Sequence, residues 1–314
     1  MASAPRAPAH GPGHLRYLIG PELVGQRLDQ ALAACSGLSR RQVRTLIDGG
    51  KLWLNQNPTR VQSRVVQVGD VVDLLDAKPT TPPAHAPRPL PILYEDGHLL
   101  AIDKPAGVVT QPPRQRTPGE ITVHEWLALQ LAWREGRRSD LLLFHRLDRM
   151  TTGVLVFARQ HEAARALARA WAGGKVRKTY LTVVVGDPGA KPVTVDAPIA
   201  SDPLVPGRYR PSRRGKPART EVRRLSVAGE LALCEVRPFT GRTHQVRVHL
   251  AHLGHPVAGD SLYGGRSDLV RPFLHAWRLV LPHPRERRNL TIEAPIPEEM
   301  ARFLAAHALF GPGA

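Results

Sequence analysis

Six of the sixteen residues from Asp76 to Pro91 are proline. Proline has no amide hydrogen to give a helix or a sheet ladder, and its ring fixes φ near −65°. A run of that density forms a stiff, extended spacer. The 314-residue chain is therefore cut in two by its own backbone chemistry. That agrees with the two domains such a length suggests at about 100–200 residues each. The expected organisation is a disordered tail over residues 1–14, a small domain over 15–77, a proline-rich linker over 78–91 and a larger domain over 92–314.

In the small domain, Ser39 can cap a helix through Arg40, Val43, Leu46 and Ile47, stopped by Gly49-Gly50. Short strands follow at Lys51–Leu54 and Val65–Val66, and Val71–Leu75 is strongly β-prone. In the larger domain, strands are expected at Leu99–Asp103, Leu141–Phe144, Val154–Ala158, Lys178–Val185 and Leu231–Val236. A helix spans Glu162–Ala172 and ends at Gly173-Gly174. Strands and helices mix without a βαβ rhythm, which points to an α+β fold on a mixed sheet.

Charge names the partner class. Lys plus Arg is 44 against 27 Asp plus Glu, a net +17, and by count 37 of the basic residues are Arg. Arginine's planar fork grips phosphate at two points where lysine is a point charge. The expected partner is a polyanion, nucleic acid first. The densest stretch, from Gly207 to Arg224, holds eight basic residues and one acid. Arg213 and Arg214 lie within it and suit phosphate gripping. The apolar fraction is 42%, enough for a packed core. Glycine and proline together make about 18% of the chain, below the roughly 25–30% of low-complexity sequences. No run of 18 apolar residues is present, so no membrane partner is expected. The first residues lack an apolar secretory core. Two cysteines, Cys35 and Cys234, do not suggest an exported disulfide scaffold. A cytoplasmic protein is expected, with a monomer as the default.

Three segments can carry chemistry. The first runs His145-Arg146-Leu147-Asp148-Arg149-Met150-Thr151-Thr152-Gly153, between two apolar strands. Arg146 and Arg149 hold Asp148 ionised and bring it near any anion they bind. His-Arg-x-Asp also occurs in protein kinases, but the Gly-rich loop, strand lysine and Asp-Phe-Gly segment of a kinase are missing. The second is Lys178-Thr179-Tyr180. Period two puts Lys178, Tyr180 and Thr182 on one face, where a tyrosine can stack on a base or move a proton. The third is Gly241–His252. Thr243 can cap a helix through Leu253, ended by Gly254, with Val246, Leu250 and Leu253 on one face and Arg247 reaching into a cleft. His244, His249, His252 and His255 tempt a metal reading, but no His-Glu-x-x-His pattern supports it, so no metal is expected.

Together these segments resemble the RluA type of RNA pseudouridine synthase. Segments His145–Gly153, Arg177–Tyr180 and Gly241–Gly264 are similar to the family's three inner motifs. Asp103-Lys104-Pro105-Ala106-Gly107-Val108-Val109 looks like its opening motif, and Phe273–Leu279 with Glu293-Ala294-Pro295 like its C-terminal pattern. Thr152 stands for the usual serine and Gln111 for a usual histidine. Arg27-Leu28-Asp29, Ser39-Arg40-Arg41, Asp48-Gly49-Gly50-Lys51 and Val68-Gly69-Asp70 resemble the αL RNA-binding module first described in a small-subunit ribosomal protein. Leu54-Asn55-Gln56 replaces that module's Val-Asn-Gly, which implies a different strand turn.

The resemblance implies an α+β fold on a mixed, largely antiparallel sheet, preceded by the small αL domain. It implies isomerisation of uridine to pseudouridine in structured RNA, most readily large-subunit rRNA, with tRNA as an alternative, and no cofactor. A non-catalytic ribosome-assembly protein is the reading from another class. Residue by residue, Asp148 falls on the catalytic aspartate. Arg146 falls where an arginine fills the space left by the flipped-out uridine. Tyr180 falls where a tyrosine stacks on the base and moves a proton, and Arg247 where an arginine pairs with the carboxylate. Arg149, Arg27, Arg40, Arg41, Lys51, Arg213 and Arg214 are expected to contact RNA.

Overall fold

The computed structural model describes residues 15–75, 89–111, 120–265 and 269–309. The tail over 1–14 and most of the proline-rich spacer lie outside them. The chain divides into two compact units, Met1–Leu90 with Thr110–Leu141, and Pro91–Val109 with Leu142–Ala314. Residues 110–141 therefore belong to the first unit and not to the larger domain expected over 92–314.

The first unit opens with β1 (Leu15–Leu18), α1 (Leu28–Ser36) and α2 (Arg40–Asp48). Strands β2 (Leu52–Leu54), β3 (Asn57–Pro58) and β4 (Val71–Leu74) complete an antiparallel sheet in the order β1-β4-β2-β3. Ser39 caps α2 as expected. Its hydroxyl accepts the Gln42 amide at 3.3 Å while the Gln42 side chain accepts the Ser39 amide at 2.8 Å, a reciprocal capping box. Leu28, Leu32, Val43, Ile47, Leu52 and Leu74 form the core. Val65–Val66 is not a strand of the sheet. Its amides and neighbours bond the segment before α1 instead, Val66 to Gln26 at 3.0 Å and Leu28 to Arg64 at 2.7 Å.

The β2–β3 turn keeps the left-handed pair that an Asn-Gly turn would take, with φ +50° at Asn55 and +66° at Gln56. Glutamine is an uncommon residue there. Its side-chain amide donates to the Glu135 carbonyl at 2.8 Å, which offsets the strain. Glu135 ends α3 (Val123–Glu135). The Arg138 backbone amide donates to Asn55 Oδ1 at 3.0 Å, and its side chain pairs with Asp70 at 3.7 Å. These bonds tie α3 to the first unit.

In the second unit a ten-stranded sheet carries β5 (Ile92–Glu95), β6 (Leu99–Lys104), β7 (Leu142–Leu143), β8 (Thr152–Ala158), β9 (Arg177–Val185), β10 (Val193–Asp196), β13 (Arg219–Ala228), β14 (Leu231–Pro238), β15 (Leu274–Pro282) and β16 (Asn289–Glu293). Between β10 and β13 lies the hairpin of β11 (Ile199–Ser201) and β12 (Tyr209–Pro211). Helices α4 (His161–Ala172), α5 (Gln245–His252) and α6 (Glu298–Ala306) accompany it. The main order is β10-β13-β14-β9-β15-β8-β6-β5, and β8 with β15 is the parallel pair. The fold is thus α+β on a mixed, largely antiparallel sheet.

That parallel pair places the candidate site. Gly153 faces Ala276 across it with φ +111°, and a Cβ there would stand 2.2 Å from the Ala276 carbonyl oxygen. Only glycine lets the two strands approach this closely. Strand β8 is buried at every position, as its unbroken apolar run requires. Val154, Val156 and Ala158 pack with Ala163, Leu167 and Ala170 of α4.

Candidate active site

The loop from His145 to Thr151 delivers Asp148 to the start of β8. His145 anchors its front end. The ring stacks on Trp171 at 4.4 Å and its Nε2 accepts the Val156 amide at 2.9 Å. Burial, aided by the charge of Lys178, pushes His145 down to about 3, so it rests neutral. Leu147 is buried while Arg146 and Arg149 are exposed and Asp148 is half-buried. The Thr151 amide closes the turn on the Asp148 carbonyl at 3.1 Å.

Lys104 pins the same loop from below. It is fully buried at the end of β6. Its ammonium donates to the carbonyls of Pro105, Arg149 and Thr151 at 2.8, 3.0 and 2.9 Å. Burial pushes it down to about 7, against the pull of the Asp148 charge. Thr152 continues the anchoring, its hydroxyl 2.9 Å from His275 Nδ1.

The partner of Asp148 comes from α5. Arg247 donates to Asp260 from Nε at 2.6 Å and from Nη2 at 2.9 Å, and to Asp148 from Nη1 at 3.3 Å. Burial opposes its charge, but Asp260 and Asp148 outweigh burial and raise its pKa further. Asp260 is almost inaccessible, 1% exposed, whereas the Asp148 side chain is 21% exposed. One carboxylate orients the arginine and the other stays open to an incoming group. The guanidinium also lies 5.0 Å over the Tyr263 ring.

Helix α5 starts differently from expectation. Thr243 does not cap it. The N-cap is His244, in the left-handed region at φ +56°. The Gln245 side chain reaches back to accept the Arg242 amide at 3.0 Å and the Thr240 hydroxyl at 2.7 Å, which folds the Thr240–His244 segment against the start of the helix, and no side chain caps its first amides. The unusual backbone aims His244 at the site, its Nε2 3.8 Å from Asp148. The Tyr263 hydroxyl accepts the Tyr209 amide at 2.9 Å and lies 2.9 Å from His244 Nδ1. Burial, with the charges of Arg247 and Arg146, lowers the His244 pKa against the pull of Asp148 and Asp260.

Tyr180 sits on β9 opposite Val236 and packs against the core that holds Val246 and Leu250 of α5. Burial first, then the Asp148 charge, raise its phenol. It rests protonated beside the carboxylate. Arg247 thus contacts Asp148, Tyr180 lies near enough to feel the charge of Asp148, and Arg146 is exposed on the loop that carries Asp148. Arg149 contributes its carbonyl to the Lys104 clamp while its side chain is exposed. Arg213 and Arg214 occupy the exposed turn between β12 and β13.

The remaining basic candidates belong to the first unit. Arg27 and Arg40 bind the fully buried Asp29 at 3.2 and 2.9 Å, joined by Arg44 at 2.9 Å. Burial raises Asp29, but the three guanidiniums prevail and bring it to about 2. One acid under three half-exposed arginines leaves a net positive surface. Arg41 and Lys51 are exposed nearby on the chain. The sequence reading missed Lys104, His244, Asp260, Tyr263 and Arg44 as site residues. His249 and His255 are spent on other bonds, to Thr220 and Ala197 and to Val185.

Comparison with known proteins gives this geometry its class. Residues 98–252 match the family described as RNA pseudouridylate synthase, and residues 26–72 match the S4 domain. The chain is 38% identical over 315 residues to ribosomal large subunit pseudouridine synthase D of Nitrosomonas europaea, covering 93% of this chain and 87% of that one. It is 39% identical to an uncharacterized RNA pseudouridine synthase of Chloroflexus aurantiacus, covering 90% of each. Among solved structures it resembles human RNA pseudouridylate synthase domain containing 4, with a TM-score of 0.59 and 27% identity over 71% of this chain and 95% of that one. The molecule is an RNA-modifying isomerase behind an S4 domain. More narrowly, the chain belongs to the RluA-type family of RNA pseudouridine synthases.

Proposed function

We propose that this isomerase converts uridine to pseudouridine in structured large-subunit rRNA, with Asp148 as the reacting carboxylate. The observation that carries the reading is the Arg247 bridge. It holds a half-buried Asp148 in place through Nη1 while the other two nitrogens, Nε and Nη2, donate to Asp260. The rRNA assignment draws on the names of relatives, those of Nitrosomonas europaea and Xylella fastidiosa being called ribosomal large subunit pseudouridine synthase D.

The reaction breaks the bond from ribose C1′ to N1 of uracil and forms one from C1′ to C5. The C5 proton leaves, N1 gains one, and no net oxidation or hydrolysis occurs. The base must leave its stack, at a cost of a few kcal/mol, which Arg146 offsets by entering the gap. Ionised Asp148 then attacks C1′ as a nucleophile or takes the neighbouring ribose proton to give a glycal. Tyr180 stacks on the freed base. Its phenol is held protonated partly by the charge of Asp148. Bonding or protonation neutralises that carboxylate while the C1′–N1 electron pair leaves on uracil N1, so the negative charge passes from Asp148 to the base stacked on Tyr180, where the phenol relays the proton that C5 gives up.

The test is tritium release from large-subunit rRNA labelled at uracil C5. Wild type should release label, and Asp148→Asn should bind RNA with unchanged affinity and release none. Release by Asp148→Asn at the wild-type rate removes Asp148 from the chemistry. Release from tRNA but not from rRNA keeps the chemistry and replaces the substrate.

A further inference from the structure

A second basic groove lies at the far end of β8 from Asp148. It has a volume of about 510 Å³ and is lined by His98, Gln160, Arg165, Arg169 and Arg285, with Glu162 its one acid. Positions 162, 165, 166 and 169 share one face of α4. Arg165, Arg169 and Arg285 are exposed, and they make no ion pair among the described residues. Eight residue steps of strand and turn from Thr152 to Gln160 put roughly 25 Å between this groove and the catalytic loop, at about 3.3 Å per step.

The wall that carries Arg285 is built, not loose. His283 is buried between β15 and β16 and its Nδ1 accepts the amides of Arg285 and Glu286 at 3.2 and 2.9 Å. Its Nε2 is 2.9 Å from Asp96, which also accepts the Tyr94 hydroxyl at 2.7 Å. Arg288 occupies Glu286 and donates to the Tyr94 hydroxyl at 3.1 Å. The opposite wall is fixed by Gln160, whose amide donates to the Gly97 carbonyl at 2.9 Å. The nearby acids Asp96 and Glu286 are thus already matched, and three guanidiniums are left facing one depression.

We propose that this groove is a second RNA-binding site that takes the phosphate backbone of a helical stem flanking the modified uridine. Guanidinium forks match phosphate oxygens two at a time. No Phe, Tyr or Trp lines the groove, so it offers no large aromatic platform for single-stranded bases, and its apolar lining is the small residues Ala163, Ala166 and Pro284, with no large side chain to anchor a protein partner. The distance from Asp148 places its ligand outside the flipped nucleotide, on a duplex read by shape and phosphates. The proposal rests on RNA being the substrate and not on which RNA it is.

The test is therefore binding. Affinity is measured against salt for an RNA hairpin whose stem spans the distance to the groove, and for its loop as a separate single strand. Arg165→Gln with Arg169→Gln and Arg285→Gln should bind the hairpin several-fold more weakly. The slope of log affinity against log salt should flatten by about 2–3, near 0.9 per lost phosphate contact. Binding of the loop alone should not change. Glu162→Gln, which removes the groove's acid, should tighten hairpin binding. An unchanged hairpin slope, equal weakening on the loop, or no gain with Glu162→Gln overturns the site. Because no turnover is read, failure of the rRNA assignment leaves this test standing.

Discussion

Arg247 divides its guanidinium unequally between two carboxylates, and the division has a consequence. Asp260 holds it by two short bonds, so Asp260 sets where Nη1 points. Asp260→Asn keeps the shape and loses most of that hold. RNA affinity should stay while kcat falls by about a hundredfold, the size of effect that a misplacement of about 1 Å produces. A wild-type kcat in this variant would show that Asp148 positions itself. Tyr180→Phe keeps the stacking face and removes the proton. It should lower kcat with little change in KM, and unaltered kcat would confine Tyr180 to stacking. At this scale the sequence was informative where motif and geometry coincide, at Asp148, Tyr180 and Arg247. Asp260 was hidden because its partner lies thirteen positions earlier, beyond any helical or strand periodicity, and the contact exists only after the chain turns back past α5.

Among the elements, β6 carries the least obvious functional residue. Lys104 ends the strand with its ammonium bonded to three carbonyls, two of them in the catalytic loop. Lys104→Met fills the space and leaves those acceptors without their donor, at about 1–3 kcal/mol for each buried group left unsatisfied. The expected result is a lower urea midpoint together with reduced turnover, because the loop that carries Asp148 loses its floor. Full stability in Lys104→Met would mean that the carbonyls find other donors. The sequence marks α2 clearly, since Ser39, Gln42 and Gly49 are local signals with local effects. It misplaces the start of α5, where the left-handed backbone at His244 makes that residue the N-cap in place of Thr243. The allegiance of α3 is equally illegible. An apolar helix face says that the helix packs, whereas Gln56 and Arg138 decide on what.

For the molecule as a whole, two desolvated histidines set its response to acid. His275 is pushed down to about 4, by burial and then by the Arg271 charge against the Ala294 bond, and His145 to about 3. An unfolded histidine takes up a proton near pH 6.5. Between pH 6.5 and about 4 the unfolded chain therefore binds protons that the folded chain refuses, and stability falls as pH falls. Each histidine contributes about 1.4 kcal/mol per pH unit in that window. Asp103 works in the opposite sense. Burial raises it to about 6, so the folded form binds its proton first and cancels about one of the two. Asp29, at about 2, contributes only where carboxylates ordinarily titrate, near pH 4 and below. A net uptake of about one proton on unfolding near pH 5 follows, with the lowered His244 and His249 adding to it. His145 and His275 grip β8 near the catalytic loop through Val156 and Thr152, so the loss belongs to the catalytic unit. Hydrogen exchange at pH 7 and pH 5 should show β8 and β15 losing protection while α2 and β4 keep theirs, and His275→Gln should flatten the dependence by about 1.4 kcal/mol per pH unit. Uniform loss across both units would place the acid sensitivity elsewhere than in these two rings.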